Sequence, residues 1–376
     1  MKTKALSVIL IACVVLGSGC GLFDQTVGGI VGSSDTATVM AKTAQIRTSY
    51  AVVAADLLEV KRGDKLDVID QIDFEKVQWL RVRAHDETQT EGWIEAQNVI
   101  TNDVLERSKK LAEGFKDLQP QAAGQLRAAS NLRLAADMNP DNALFKMPNG
   151  ASFEVMDWEY VPKQEVPDVD DAAKGEKKST KKAKNEEIEA AKEAGDAEKL
   201  DDKYDIWYLV KLDPSVSPAP AGWLFGRQVE LQVPTDIVFF QTNNRKFVSW
   251  QRLDTDSAAK AVTSDRNATP GDWIVLSRTN AVKAIDGVEA DFDAVQIFAF
   301  NKYDQSYYTA YRTTTDLWGV LPLRVEGVGD NKTFSLKLRN ANGQMEDKRF
   351  VVFRDKSRLK VTPPEDIAQY LQAKGR

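Results

Sequence analysis

Side chains able to do covalent or acid-base chemistry are few in this sequence, and their spacing is poor. The single histidine, His85, stands in a polar stretch, His85-Asp86-Glu87-Thr88, and the two cysteines, Cys13 and Cys20, lie near the N-terminus. Neither a Ser-His-Asp nor a Cys-His nucleophile can be assembled from this set, and a histidine-based zinc site lacks ligands. His85 therefore reads as a surface residue. Ser-x-x-Lys occurs at Ser179/Lys182, Ser257/Lys260 and Ser357/Lys360 without any companion Lys-Thr-Gly, so the three hits carry no catalytic assignment. The carboxylates Glu289, Asp291 and Asp293 are of the type a glycosidase pair uses, yet in a polar turn they are expected to be solvated. Asp168, Asp170 and Asp171 begin like a calcium loop, but Ala172 and Ala173 stand where an oxygen ligand and a glycine are needed. No glycine-rich phosphate loop is present, and no catalytic residue, metal or cofactor is expected. What remains is binding by aromatic rings. Tyr303, Tyr307, Tyr308, Tyr311 and Trp318 form the densest group. Strand alternation puts Tyr307 and Tyr311 on one face and Tyr308 on the other, so that one face joins a core and the other offers an aromatic patch.

The N-terminus carries different chemistry. Lys2 and Lys4 precede an apolar run from Ala5 to Leu16, which is followed by Gly-Ser-Gly-Cys. A run of that length is too short for the roughly 20 residues of a membrane span and has the grammar of a cleaved export signal. Leu16-Gly17-Ser18-Gly19-Cys20 resembles a bacterial lipobox, with the leucine four residues before the cysteine where three is commoner. That resemblance implies cleavage after residue 19, acylation of the Cys20 thiol, a membrane anchor of two or three acyl chains, and no disulfide. Gly21 in the next position points to the outer membrane, facing the periplasm, in a diderm host. Residues 20–37, rich in Gly, Ser and Thr, read as a flexible tether.

Beyond the tether the composition is that of a soluble body. Hydrophobic residues make up 43% and charged residues 28%, and the mean hydropathy is −0.39, so several cores can be filled. The net charge of −6, or −8 without Lys2 and Lys4, offers no basic footprint for nucleic acid.

Residues 38–100 alternate apolar and polar at period two, the pattern of half-buried strands. Gln45-Ile46-Arg47 is followed by a loop with Tyr50, then Leu58 to Val68 around Lys61-Arg62-Gly63, then Trp79-Leu80-Arg81-Val82 and Gly92-Trp93-Ile94. The order resembles the bacterial SH3 domain, and it recurs. Asn131-Leu132-Arg133, Met147 to Val155, Trp207-Tyr208-Leu209-Val210 and Gly222-Trp223-Leu224 repeat it within residues 123–232. The resemblance implies two small SH3-like β-barrels in which Trp79, Trp93, Trp207 and Trp223 are largely core, with an edge available to a groove beside Tyr50. Between them, residues 101–122 contain an amphipathic helix over Thr101–Leu118, capped by Thr101, Asn102 or Asp103 and stopped before Pro120. The second copy is interrupted at residues 163–203, where nearly every second residue is charged and no aromatic occurs, so a solvated insert is expected.

After Val233-Pro234, residues 233–376 hold about nine strand-like runs, from Asp236–Gln241 to Leu359–Val361, separated by turn signals such as Asn243-Asn244 and Asn342-Gly343. They predict an antiparallel meander, barrel or sandwich, with a short helix near Pro364 to Gln372. The whole is expected to be mainly β, with two SH3-like barrels, a connecting helix and an antiparallel β domain. The functional expectation is a lipid-anchored, non-catalytic binding or scaffolding protein whose partners are the membrane, through Cys20, and peptidoglycan or an envelope protein. The alternative is an enzyme or inhibitor in residues 233–376 positioned by the pair.

Overall fold

Period-two alternation becomes strands almost wherever it occurs. A computed structural model of the chain describes residues 36–163, 204–256, 261–263, 270–279, 281–285, 288–313, 317–329 and 331–370. The export signal, Cys20, most of the tether, the insert from residue 164 to 203, and the Ser179/Lys182 and Ser257/Lys260 pairs lie outside the described residues. No helix among the described residues is long and apolar enough to cross a membrane.

The first unit contains β1 (Thr36–Val39), β2 (Thr43–Arg47), β3 (Asp56–Lys61), β4 (Lys65–Phe74), β5 (Val77–Ala84), β6 (Glu91–Glu95) and β7 (Val99–Thr101). The tether assigned to residues 20–37 therefore ends earlier, because Thr36 and Ala37 already pair with Asp67 and Leu66 of β4. After the helix α1 (Asn102–Glu113), the second unit contains β8 (Ala122–Leu126), β9 (Ser130–Arg133), β10 (Ala143–Met147), β11 (Ser152–Pro162), β12 (Tyr204–Lys211), β13 (Ala221–Phe225) and β14 (Val229–Leu231). The two seven-stranded sheets have the same spatial order. It is β3-β2-β6-β5-β4-β1-β7 in the first and β10-β9-β13-β12-β11-β8-β14 in the second. A short 3₁₀ turn precedes the last strand in both, at Ala96–Asn98 and Gly226–Gln228.

Detailed packing repeats as well. Arg47 lies opposite Trp93 in the first unit, and Arg133 lies opposite Trp223 in the second. Each arginine reaches out to pin the loop that follows its strand. Arg47 Nη2 donates to the carbonyls of Val52 and Ala54, both at 3.0 Å, and Arg133 Nη1 donates to that of Asn139 at 2.8 Å. A Cβ on Gly92 would stand 2.6 Å from Ile46 Cγ2, and one on Gly222 would stand 2.4 Å from Leu132 Cγ. Glycine is required at both positions because two strands cross there without room for a side chain.

The helix is shorter than Thr101–Leu118: it ends at Glu113, and Phe115 and Leu118 continue in a turn. Its N-cap Thr101 makes no side-chain capping bond. Tertiary contact holds it instead. Buried Ser108 donates through Oγ to the Ala221 carbonyl (2.6 Å) and accepts from the Ala221 N–H (3.0 Å), while Leu105 packs with Ala219, and Phe115 with Leu209 and Ala221.

The C-terminal region forms two antiparallel four-stranded sheets in sequential order. One holds β15 (Lys246–Arg252), β16 (Trp273–Arg278), β17 (Ala294–Asn301) and β18 (Ser306–Arg312). The other holds β19 (Gly319–Val328), β20 (Asn331–Arg339), β21 (Met345–Asp355) and β22 (Arg358–Thr362). β16 and β17 are buried almost continuously rather than alternately. The cause is a layered arrangement that covers both faces of the β15–β18 sheet. Trp250, Trp273, Val275 and Phe298 join Leu132, Val155, Val210 and Leu224 of the second unit, while Ile274, Leu276, Val295 and Ile297 join Phe334, Leu336 and Phe350 of the last sheet.

The expected strand over Asp236–Gln241 is a 3₁₀ turn at Val238–Phe240. Ile237 and Phe240, three apart, face the core at that period, Phe240 stacking on Phe298 at 4.4 Å, while Phe239 between them is 88% exposed.

Candidate functional site

The insert interrupts a hairpin whose two strands carry a ladder of aromatic residues. β11 and β12 pair in register from Asp157↔Leu209 to Pro162↔Tyr204, so Trp158 lies opposite Tyr208 and Tyr160 opposite Ile206. Side chains two apart share a face. Trp158, Tyr160, Tyr204 and Tyr208 accordingly line one wall of a cleft of about 920 Å³ between the second unit and the β15–β18 sheet. Trp158 meets Tyr208 edge-on at 6.1 Å, and Tyr160 meets Tyr204 at the same distance. Cations from other elements complete the rim: Arg127 and Arg227 come from the second unit, and Lys246 and Arg278 from the paired ends of β15 and β16.

Arg278 is the best-fixed of these. It donates to the Tyr160 hydroxyl (3.1 Å), ion-pairs with Glu289 (3.0 Å), bonds the Ala290 carbonyl and lies 5.7 Å over the Tyr160 ring. Arg227 pairs with Asp205 at 2.9 Å, and Lys246 and Arg127 project from exposed positions. Burial pushes the Tyr160 hydroxyl far above the usual tyrosine range, with the Asp291 charge adding to the effect, so it stays neutral and donates or accepts hydrogen bonds. The arrangement offers flat aromatic faces for sugar rings or aliphatic surface, and cationic donors for carboxylates, on a protein of net negative charge. Its signal in the sequence is the pair of period-two aromatic runs, Trp158-x-Tyr160 and Tyr204-x-Ile206-x-Tyr208, on either side of the charged insert. Sequence reasoning passed over both.

The residues singled out from sequence are scattered. Trp79 and Trp207 are buried on equivalent strands, β5 and β12, and Trp207 packs against Phe225 at 5.1 Å. Trp93 and Trp223 are partly buried on β6 and β13, with Trp223 against the cluster under α1. Tyr50 is half-buried rather than projecting from its loop, held 5.0 Å from Phe74 and edge-on to Trp93 at 5.2 Å. The tyrosines of β18 do not alternate as expected, because a register irregularity takes Ile297↔Tyr311 to Phe298↔Thr309 and leaves Ala310 as an extra residue. Tyr307 therefore packs on Phe240 and Phe300 in the core shared with the second unit, and Tyr308 and Tyr311 both turn to the opposite core. Tyr308 accepts the Leu359 N–H at 2.8 Å and Tyr311 meets Phe350, so no one face of β18 is an aromatic patch.

The acidic group of residues 289–293 is not solvated as expected. Asp293 is buried and accepts from the Thr279 N–H, the Thr279 hydroxyl and the Ala281 N–H. Asp291 accepts the Trp158 Nε1–H and the Leu321 N–H, both at 2.8 Å, which ties the second unit to both C-terminal sheets. Burial, reinforced by Asp157, pushes the Asp291 carboxyl up to about 6. Each carboxylate is thus engaged by its own structural partners. His85 is on the surface, 3.0 Å from Asp67. No group of three or more His, Cys, Asp or Glu able to hold a metal ion occurs among the described residues.

No protein-family model matches the chain. No curated protein matches it either. Among solved structures, NlpC1 from Trichomonas vaginalis aligns over 77% of this chain and 93% of its own length, at 7% identity and a TM-score of 0.15. A likeness at that score establishes no shared fold.

Proposed function

We propose that this protein is a non-catalytic binding protein of the bacterial cell envelope, anchored by acyl chains on Cys20, in which two SH3-like modules and a C-terminal β domain hold a recognition cleft at a membrane surface. Its partner is cell-wall polymer. The observation that carries the reading is the cleft, with aromatic faces on one wall and cations around the rim of an acidic protein. The SH3-like assignment is supported by the repeated strand order, the matching Arg-Trp pairs and the equivalent close-packed glycines. The lipid anchor is supported by the lipobox-like Leu16 to Cys20 and the apolar run before it.

Co-sedimentation with purified sacculi tests the reading. Mature protein is expected to sediment with them, and Tyr204→Ala or Lys246→Glu to weaken the association about tenfold, the loss of one good stacking or charge-assisted contact. Release of soluble muropeptides, or failure of both wild type and variants to sediment, would remove the proposal. Anchoring is tested separately with Cys20→Ala, which is expected to leave the membrane fraction and to take up no labelled fatty acid.

A further inference from the structure

The face of the β15–β18 sheet that carries Trp250, Val275 and Phe298 ends in a polar row. Register places Gln296 opposite Val275 and Arg312, and Ser277 opposite Ala294 and Phe247. Arg245 closes the Thr242–Arg245 turn two residues before Phe247, so strand alternation brings it to the same face. Ser277 is fully buried and Gln296 is 4% exposed. Even so, Ser277 Oγ, Gln296 Oε1 and the buried Nε of Arg245 have no hydrogen-bond partner. Five buried side-chain atoms lack partners among the described residues, and three of them gather here. Buried polar atoms are nearly always satisfied, by protein or by a bound water or ion, so such a concentration marks a place that something occupies.

Charge decides what. Arg245 and Arg312 are near enough that, after burial, the Arg312 charge is the main influence drawing the Arg245 guanidinium down from its ordinary value. The carboxylate that opposes this is Asp293, held by Thr279 and Ala281, so that one negative charge stands against two positive ones. Two guanidinium groups close enough to influence each other at the edge of a buried polar floor leave an excess of positive charge there, which a further anion offsets. We propose that Arg245 and Arg312, above Ser277 and Gln296, form a binding site for one small free oxyanion of the phosphate type. The guanidinium forks supply charge-assisted donors, the Ser277 hydroxyl supplies another from beneath, and the Gln296 amide, turned about its last bond, supplies an N–H. The site does not depend on the reading of the cleft.

Thermal unfolding of the soluble mature protein in inorganic phosphate, against chloride at matched ionic strength, tests the proposal. Phosphate is expected to raise Tm saturably in the millimolar range, since a ligand bound by the native state alone stabilises it. Arg312→Gln, a change at an exposed position, is expected to raise Tm in chloride by relieving repulsion and to weaken phosphate about tenfold. Arg245→Gln is expected to do the same to phosphate, which equilibrium dialysis with labelled phosphate reads directly whatever its effect on stability. No phosphate-specific rise in wild type, an undiminished phosphate affinity in both variants, or a lower Tm of Arg312→Gln in chloride would overturn it.

Discussion

Asp291 shows how much one side chain depends on its surroundings. Its folded pKa of about 6 lies above the ordinary value of 3.8, because burial penalises the charged form more than the Trp158 and Leu321 donors favour it. The folded state therefore binds this proton more tightly than the unfolded chain does. Stability from Asp291 is present below the unfolded value and is lost as pH rises through about 6. A shift of roughly two units corresponds to about 3 kcal/mol. The carboxylates drawn downward, Asp86 by Thr90 and Thr88 and Glu91 by Arg83, act in the opposite direction and at lower pH. Urea unfolding between pH 7.5 and 5 is therefore expected to show stability increasing on acidification, and Asp291→Asn is expected to flatten that rise. Equal pH profiles for the two proteins would show that Asp291 is not the group responsible. Aromatic burial gives a second contrast at this scale. Trp207→Ala is expected to cost about 3 to 5 kcal/mol, as for other fully buried large aromatics. Tyr50→Ala, which loses two ring contacts but little buried volume, is expected to cost about 1 to 2 kcal/mol. Comparable losses in urea denaturation would contradict the different burial of the two rings.

At the scale of elements, the most informative comparison is between two equivalent hairpins. β4 and β5 are joined by Glu75 and Lys76, both at positive φ, in the tight two-residue turn that suits the twist of an antiparallel pair. β11 and β12 pair out to Pro162↔Tyr204, and residues 163–203 stand where those two residues stand in the first copy. Loop closure costs only about 0.6 kcal/mol per doubling of length, so an insertion there is tolerated as long as the ladder below it is intact. Replacing residues 163–203 by Asn-Gly is accordingly expected to leave the second unit folded with Tm changed by no more than a few degrees. A larger fall in a thermal scan would show that the insert contributes to the packing of the body. The repeat also has limits. The loop between β9 and β10 holds no tyrosine, so the Tyr50, Phe74 and Trp93 cluster has no counterpart in the second copy.

For the molecule as a whole, two glutamines in the stretch between α1 and β8 join the second unit to the C-terminal sheets. β19 is the edge strand of its sheet, and its ladder with β20 is irregular between Val320 and Arg324. The Leu323 N–H and C=O are taken by the Gln121 amide at 2.7 and 3.0 Å, and those of Val325 by the Gln119 amide, both at 2.8 Å. Residues two apart on one segment thus serve residues two apart on the other, and the exposed edge is closed by side chains in place of a strand. Gln121→Leu leaves the buried Leu323 N–H unsatisfied, at about 1 to 3 kcal/mol, and leaves its carbonyl only a long 3.4 Å bond from Gln251. Urea unfolding of the wild type is expected to show one transition across the second unit and C-terminal sheets, and the variant an earlier, separate loss of the latter. An unchanged single transition would show that the apolar layers alone couple them.

Local pattern by itself determined the strand content, the internal repeat, the helix between the copies and the lipobox-like Cys20. Each depends on neighbours a few residues away, through side-chain period, turn chemistry or a short motif. Only tertiary structure decided which surfaces those elements cover. The extra residue at Ala310 changed the facing of Tyr311, a covering layer turned β16 and β17 into doubly buried strands, and core contacts three residues apart, at Ile237 and Phe240, go with a 3₁₀ turn at Val238–Phe240. The aromatic wall of the cleft is local in sequence, but its closure against the C-terminal sheet is not, since Arg278 stands 118 residues from Tyr160. A contact of that span depends on how the layers stack, which no local pattern specifies.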